Sequence, residues 1–172
     1  MVWTLILSIF LGLQTPAWAA DSLYQELTHT KDVSVFVEPP TDPSQTKLDT
    51  ESFRKQIERA LHERKSIHFV PAASGADSRL VVQAEIKGFT FSETDPVDML
   101  VGAAAIALDA AKVEHFASIE ADFTVREAGR VRWSDRVRAT ITDEKMTEPE
   151  SRTRILERAA HVFVTQAFRK KK

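Results

Sequence analysis

The sequence predicts an α+β domain built on one mixed β-sheet of about five strands, with two or three helices packed on it. Three observations predict it. A β-branched run, an amphipathic helix and a second short apolar run follow one another in the order of a βαβ unit. Three longer stretches then alternate apolar and polar residues, and the last two are joined by a glycine-bearing connection. An amphipathic helix with a clear start signal closes the chain. The element order is strand, helix, strand, strand, apolar insert, strand, strand, helix.

A leader precedes the fold. Leu5 to Leu13 is apolar apart from Ser8 and Gly12, Pro16 breaks the run, and Ala17-Trp18-Ala19 has the small-x-small pattern of a secretory cleavage site. The expected division is a signal peptide over 1–20, cut after Ala19 or Ala20, and a single periplasmic or secreted domain over 21–172. No Lys or Arg precedes the apolar run, so a retained N-terminal membrane anchor is the alternative. That run is roughly half the ~20 residues a helix needs to span a bilayer. The chain has no Cys, which excludes lipidation at the leader, disulfides, thiolate metal sites and a Cys nucleophile. A net charge of -2 is not the balance of a nucleic-acid binder.

Val33 to Val37 reads as a strand stopped by Pro39 and Pro40, and its nearly continuous apolarity implies burial on both faces. Asp49 is the expected N-cap of the next helix, with Leu48 and Phe53 as a hydrophobic staple. Phe53, Ile57, Ala60, Leu61 and Arg64 recur at helical spacing. Ile67 to Val70 is a second short strand, ended by Pro71. From Arg79 to Phe91, the residues Leu80, Val82, Ala84 and Ile86 take one face, and Gly88 marks a bulge or bend. In Phe116 to Glu127, Ile119, Ala121, Phe123 and Val125 share a face. In Arg130 to Thr142, Val131, Trp133, Val137, Ala139 and Ile141 do. Glu127-Ala128-Gly129 fits a three-residue hairpin loop. That register sets Phe123 opposite Trp133, Ile119 opposite Val137 and Glu120 opposite Arg136. Thr147 and Glu150 form a capping box for a last helix carrying Ile155, Leu156, Ala159, Val162, Phe163 and Ala167. Arg169 to Lys172 follow it, where cations complement the helix dipole.

The insert over 96–112 breaks the strand pattern. Met99 to Leu108 has no polar side chain, and a helix apolar all round is buried or in lipid. Packing against the sheet or a neighbouring subunit, insertion at a membrane surface, and a disordered loop are the three readings. Its candidate interaction residues are Met99, Leu100, Val101, Ile106 and Leu108.

Chemistry is harder to find. His29, His62, His68, His115 and His161 show no metal-ligand spacing, and no phosphate-cradling glycine motif or nucleophile elbow occurs. No catalytic residue, metal or cofactor is therefore assigned. A hydrolase would need a pocket containing His68, His115 or paired acids. The best surface feature is a row of Arg130, Arg132, Arg136 and Arg138 along one strand, expected to be salt-bridged in part by Glu120 and Asp122.

Two motifs and the insert resemble a known family. Ala76-Asp77-Ser78-Arg79-Leu80-Val81-Val82-Gln83-Ala84-Glu85-Ile86 resembles the "A-D-x-x-V-x-G-x-I" strand of the curli secretion lipoprotein superfamily, which includes the N-terminal domain of TolB-type proteins. Here Ala84 stands where Gly is common. Gly129-Arg130-Val131-Arg132-Trp133-Ser134 resembles its "G-x-V-x-W-S" strand opening, and Val101 to Ala105 resembles its small-residue inserts. The missing lipidation Cys departs from the pattern. The resemblance implies a non-catalytic exported accessory protein of bacterial envelope assembly or export, acting through protein contacts and self-association. Its partners would be an envelope complex or its own copies, with membrane-surface contact through 97–111. The alternative is a small periplasmic binding module whose arginine-lined strand takes an anionic ligand or polymer.

Overall fold

The computed structural model describes residues 18–92, 115–143 and 145–169, with side chains from Leu23 onward. Its first element was not anticipated. Helix α1 (Trp18–Thr28) begins inside the stretch read as a cleavage site and buries Leu23 and Leu27 fully in the common core. Strand β1 (Val33–Val37) follows, then α2 (Thr50–His62) and β2 (Phe69–Pro71), parallel to β1 as the βαβ pattern requires. Strand β3 (Leu80–Ser92) lies parallel on the other side of β1. Strands β4 (His115–Glu127) and β5 (Arg130–Asp143) extend the sheet antiparallel, in the order β2-β1-β3-β4-β5. Helix α3 (Glu148–Ala167) ends the fold. The fold is therefore α+β, with one mixed five-stranded sheet and three helices among the described residues.

The helix starts follow their sequence signals. The Asp49 carboxylate accepts the Ser52 N–H at 3.0 Å, and Leu48 and Phe53 are both buried. The Thr147 hydroxyl accepts the Glu150 N–H at 3.4 Å. The Glu150 carboxylate lies 3.5 Å from Arg154, so only one half of the expected capping box is seen. Helix α2 ends at His62, which leaves Arg64 beyond it rather than on its packed face. From there Arg64 donates to the carbonyl of Phe168 at the end of α3, joining the two helix ends.

The helices cover one face of the sheet. Val33, Val35 and Val37 are buried while Ser34 and Phe36 are only partly so, which corrects the expectation that β1 is buried on both faces. In the core Phe123 stacks on Phe163 at 4.3 Å between ring centres and meets Phe53 edge-on at 5.8 Å. Trp133 lies 5.6 Å from Phe163.

Two bulges decide which residues face that core. Lys87 is the extra residue between the pairs Ile86↔Ala121 and Gly88↔Glu120. It switches the inward set of β3 from even numbers (Leu80 to Ile86) to odd ones (Phe89 onward). The hairpin corrects the expected register. Ala128 (φ 48) and Gly129 (φ 76) form a two-residue turn with the positive φ values of type I′, and Glu127 pairs with Arg130. A plain ladder from that turn would set Phe123 opposite Ser134 and turn Trp133 outward. Arg132 is left over as a bulge instead. Phe123 then lies opposite Asp135, Val125 opposite Trp133, Ala121 opposite Val137 and Ile119 opposite Ala139. The expected pairs are displaced by two residues, so the faces survive. Val131, placed with the core set from sequence, is 46% exposed because it lies on the turn side of the bulge.

Candidate interaction surfaces

The uncovered face of the sheet is a lattice of charges. Lys87 Nζ lies 2.6 Å from Glu85 and 3.6 Å from Asp122. Arg136 donates twice to Asp122, at 2.6 and 3.1 Å. Arg138 meets Glu120 at 2.7 Å, so Glu120 does not face Arg136 as expected from sequence. Nearer β1, the Gln83 amide donates to Glu38 at 2.7 Å. The Asp122 carboxyl is held below its ordinary value, first by the hydrogen bond from Arg136.

The bulge takes Arg132 out of this row. Arg132 and Arg79 both donate to Glu26 and to Glu127, and Arg79 also donates to the Thr30 hydroxyl at 2.9 Å. Two cations and two anions thus close a ring that ties α1 to the hairpin end of the sheet. The hydrogen bond from Arg132 is the largest cause of the lowered pKa of Glu26. Arg130 is exposed and shares an open recess of about 800 Å³ with Arg79 and Arg132. The predicted arginine row is therefore two groups, and Arg132, Arg136 and Arg138 already hold carboxylates. An anionic ligand for the row would have to displace them.

Sequence reasoning missed Glu26 and Arg79. Their pairing spans 53 residues of chain and leaves no periodic trace. The available signal was the i,i+4 pair Leu23 and Leu27, which marks α1 as an amphipathic helix rather than a spacer.

The histidines stay apart. His68 Nδ1 lies 2.8 Å from Asp32, both exposed, and His161 lies 3.7 Å from Glu63. His115 packs edge-on against Phe91 at 5.8 Å. Among the described residues no group of three or more His, Asp or Glu is placed to hold a metal. None of the described helices is long and apolar enough to cross a membrane.

The insert residues Met99, Leu100, Val101, Ile106 and Leu108 lie outside the described residues. Their attachment does not. Strands β3 and β4 are antiparallel and paired as far as Ser92 with Phe116, so residues 93–114 join adjacent strand ends. Those strand ends lie at the end of the sheet opposite the Ala128-Gly129 turn. Beside them, Asp143 accepts from Arg154 at 2.8 Å and from the Lys145 N–H at 3.0 Å. The Arg154 bond is the main cause of its lowered pKa. Arg152 stacks over the Phe89 ring at 4.8 Å.

No protein-family model matches this chain, and no curated protein matches it. Solved structures of bacterial proteins resemble it. A PelC dodecamer from Paraburkholderia phytofirmans is 11% identical with a TM-score of 0.49, the match covering 79% of this chain and 88% of that one. The protein XCC0632 from Xanthomonas campestris, assigned to DUF330, is 14% identical with a TM-score of 0.49, covering 78% and 81%. The lipoprotein GNA1162 from Neisseria meningitidis is 12% identical with a TM-score of 0.39, covering 69% and 90%.

Proposed function

We propose that this chain is an exported, non-catalytic accessory protein of bacterial envelope assembly or export that works by protein contact and self-association. The observation that carries the reading is the β3–β4 hairpin. Two thirteen-residue strands, paired to their tips in the middle of the sheet, offer at one end a connection whose ten residues from Met99 to Leu108 have no polar side chain. A contiguous apolar segment in the sequence between two paired strands suits a protein that works through contacts. The leader over 1–20 supports export. The motifs resembling the curli secretion lipoprotein superfamily support the envelope role, and they fall on the entry to β3 and on the β4–β5 turn.

Native mass measurement of the chain, with and without detergent, tests the proposal. The intact protein is expected to assemble. A variant lacking Val97 to Ala111 is expected to remain folded by circular dichroism and to run as a monomer. A monomeric intact protein, or a deletion variant that assembles unchanged, refutes the self-association.

A further inference from the structure

The end of the sheet that carries the Ala128-Gly129 turn gathers cations without counter-charge. Strands β1, β2 and β5 begin there and β4 ends there. The ends of α2 and α3 meet there too, through Arg64 and the Phe168 carbonyl. Lys31 precedes β1, Lys65 precedes β2, Arg126 and Arg130 flank the turn, and Arg169 follows α3. All five are exposed, and none holds a carboxylate among the described residues. Lys65 and Arg169 complement the ends of α2 and α3, whereas Arg126 and Arg130 belong to strands. Most acids at this end are already neutralised. Glu26 and Glu127 are held by Arg79 and Arg132, and Glu63 by Arg59. Asp32 lies against His68, and Asp77 accepts from the Ser74 hydroxyl at 2.7 Å. Five free cations therefore stand against these two acids.

An apolar side chain stands among these cations. Val131 is the most exposed large apolar residue of those described, and it is paired directly with Arg126. Directly opposite residues on neighbouring strands share a face, with Cβ atoms about 5 Å apart. Val131 and Arg126 are thus side by side, next to Arg130 and the exposed Ala128 and Gly129. An acidic polymer engages the cations alone and leaves Val131 in water. A phospholipid surface takes both, since its phosphates meet Lys and Arg while an apolar side chain enters the headgroup boundary. The five cations also come from four separate stretches of chain, spread over the width of a five-stranded sheet, about 20 Å. That spread suits a flat anionic surface better than a single ligand in one groove.

We propose that this end of the molecule docks on a bilayer surface rich in anionic phospholipid, with Val131 at headgroup level and the free Lys and Arg over the phosphates. The strand ends that carry residues 93–114 lie at the other end of β3, roughly 40 Å away for a strand of 13 residues. Surface charge is felt over only about 8 Å at physiological salt. Docked by the turn end, the molecule holds its opposite end clear of the bilayer and open to protein contacts. The inference adds a membrane contact to the proposed accessory role and does not rest on self-association.

The full chain is sedimented with vesicles of phosphatidylcholine alone and of phosphatidylcholine mixed with phosphatidylglycerol. Binding is expected to favour the anionic vesicles and to fall as salt rises. The leader over 1–20 carries no charged side chain, so its contact does not produce that preference. Each Lys or Arg at such a surface contributes a factor of about five. Arg126→Gln with Arg130→Gln should therefore lower the preference about twentyfold, and Lys31→Gln with Lys65→Gln likewise, with thermal stability unchanged. Lys55→Gln with Lys145→Gln removes the same charge outside this end and should leave the preference intact. The chain has no Cys, so Val131→Cys offers a single site for an environment-sensitive fluorophore. Its emission is expected to shift to the blue on anionic vesicles and to stay put with polyglutamate. Equal binding to both vesicles, equal losses in the turn-end and control pairs, or an unshifted fluorophore overturns the proposal. Polyglutamate bound as tightly as the vesicles, with the fluorophore unshifted, assigns the cations to an acidic protein instead. A variant lacking Val97 to Ala111 should still prefer anionic vesicles, and loss of the preference there also overturns the proposal. An intact chain that assembles without the preference defeats this inference alone; a monomer that keeps it defeats self-association alone.

Discussion

Glu26 shows what a single side chain contributes beyond its own charge. Its carboxylate receives Arg132 at 2.8 Å and also Arg79, and it is the α1 member of the ring that fastens the helix. Its pKa is lowered in the fold from an ordinary 4.5. The unfolded chain therefore binds the proton more readily, and the stabilisation is fully present above that ordinary value. It is lost as pH falls through the lowered one. Glu26→Gln is expected to lower the urea midpoint of unfolding at neutral pH by a modest amount, since exposed ion pairs contribute about 0–1 kcal/mol. At a pH of ~3 the difference from the parent should shrink towards zero; an equal difference at both pH values would show that the bonds hold without the charge. The sequence made the buried apolar residues legible at this scale, because Phe53, Ile57, Phe123 and Phe163 recur with the period of their element. Glu26 and Arg79 were not, because partners brought together by tertiary folding share no period.

The elements were read well in kind and less well at their joints. Strand β1 has the predicted bounds, β3 to β5 differ by a residue or so at their ends, and both interior N-caps are where expected. The hairpin register was displaced because a two-residue turn and a bulge each change the pairing by one residue, and only their combination keeps Trp133 inside. A deletion pair tests this compensation. Removing Arg132 straightens the ladder while leaving Val125 opposite Trp133, so the core stays in place. Removing Ser134 shifts every later residue and turns Arg136 and Arg138 towards Phe163. In a chain beginning at Asp21, Trp133 is the sole Trp. Its fluorescence should stay blue-shifted in the first deletion and move to the red in the second. Matching spectra would show that the bulge is not what sets the faces. Among the described elements, helix α1 was the one missed. Its first three residues doubled as a plausible leader end, and the eight that remain are few for a helical pattern.

Across the whole molecule the legible part was the layering. Among the described residues one face of the sheet is apolar and covered, the other is polar and open, and the parallel set β2-β1-β3 is extended by the antiparallel β4 and β5. The candidate surfaces were legible only as lists of residues. Four arginines on one strand read as a row, yet the bulge divides them and acids from α1 and β4 occupy three. The free cations at the turn end could not be read as one surface at all, since they lie on separate stretches that only the fold brings together. One consequence concerns time rather than architecture. The peptide bonds after Ala19 and Ala20 lie in the first turn of α1, whereas a peptidase needs its substrate opened locally. Once Leu23 and Leu27 are buried and Glu26 is fastened, those bonds are withdrawn. If a leader is cut at these bonds, its removal has to be completed before the domain closes over α1, and a precursor that folds first keeps it. Purified folded precursor should be cut far more slowly by signal peptidase than the same precursor carrying Leu27→Asp, whose α1 cannot dock. Equal rates would mean that the first turn opens freely, and the chain would carry no such deadline.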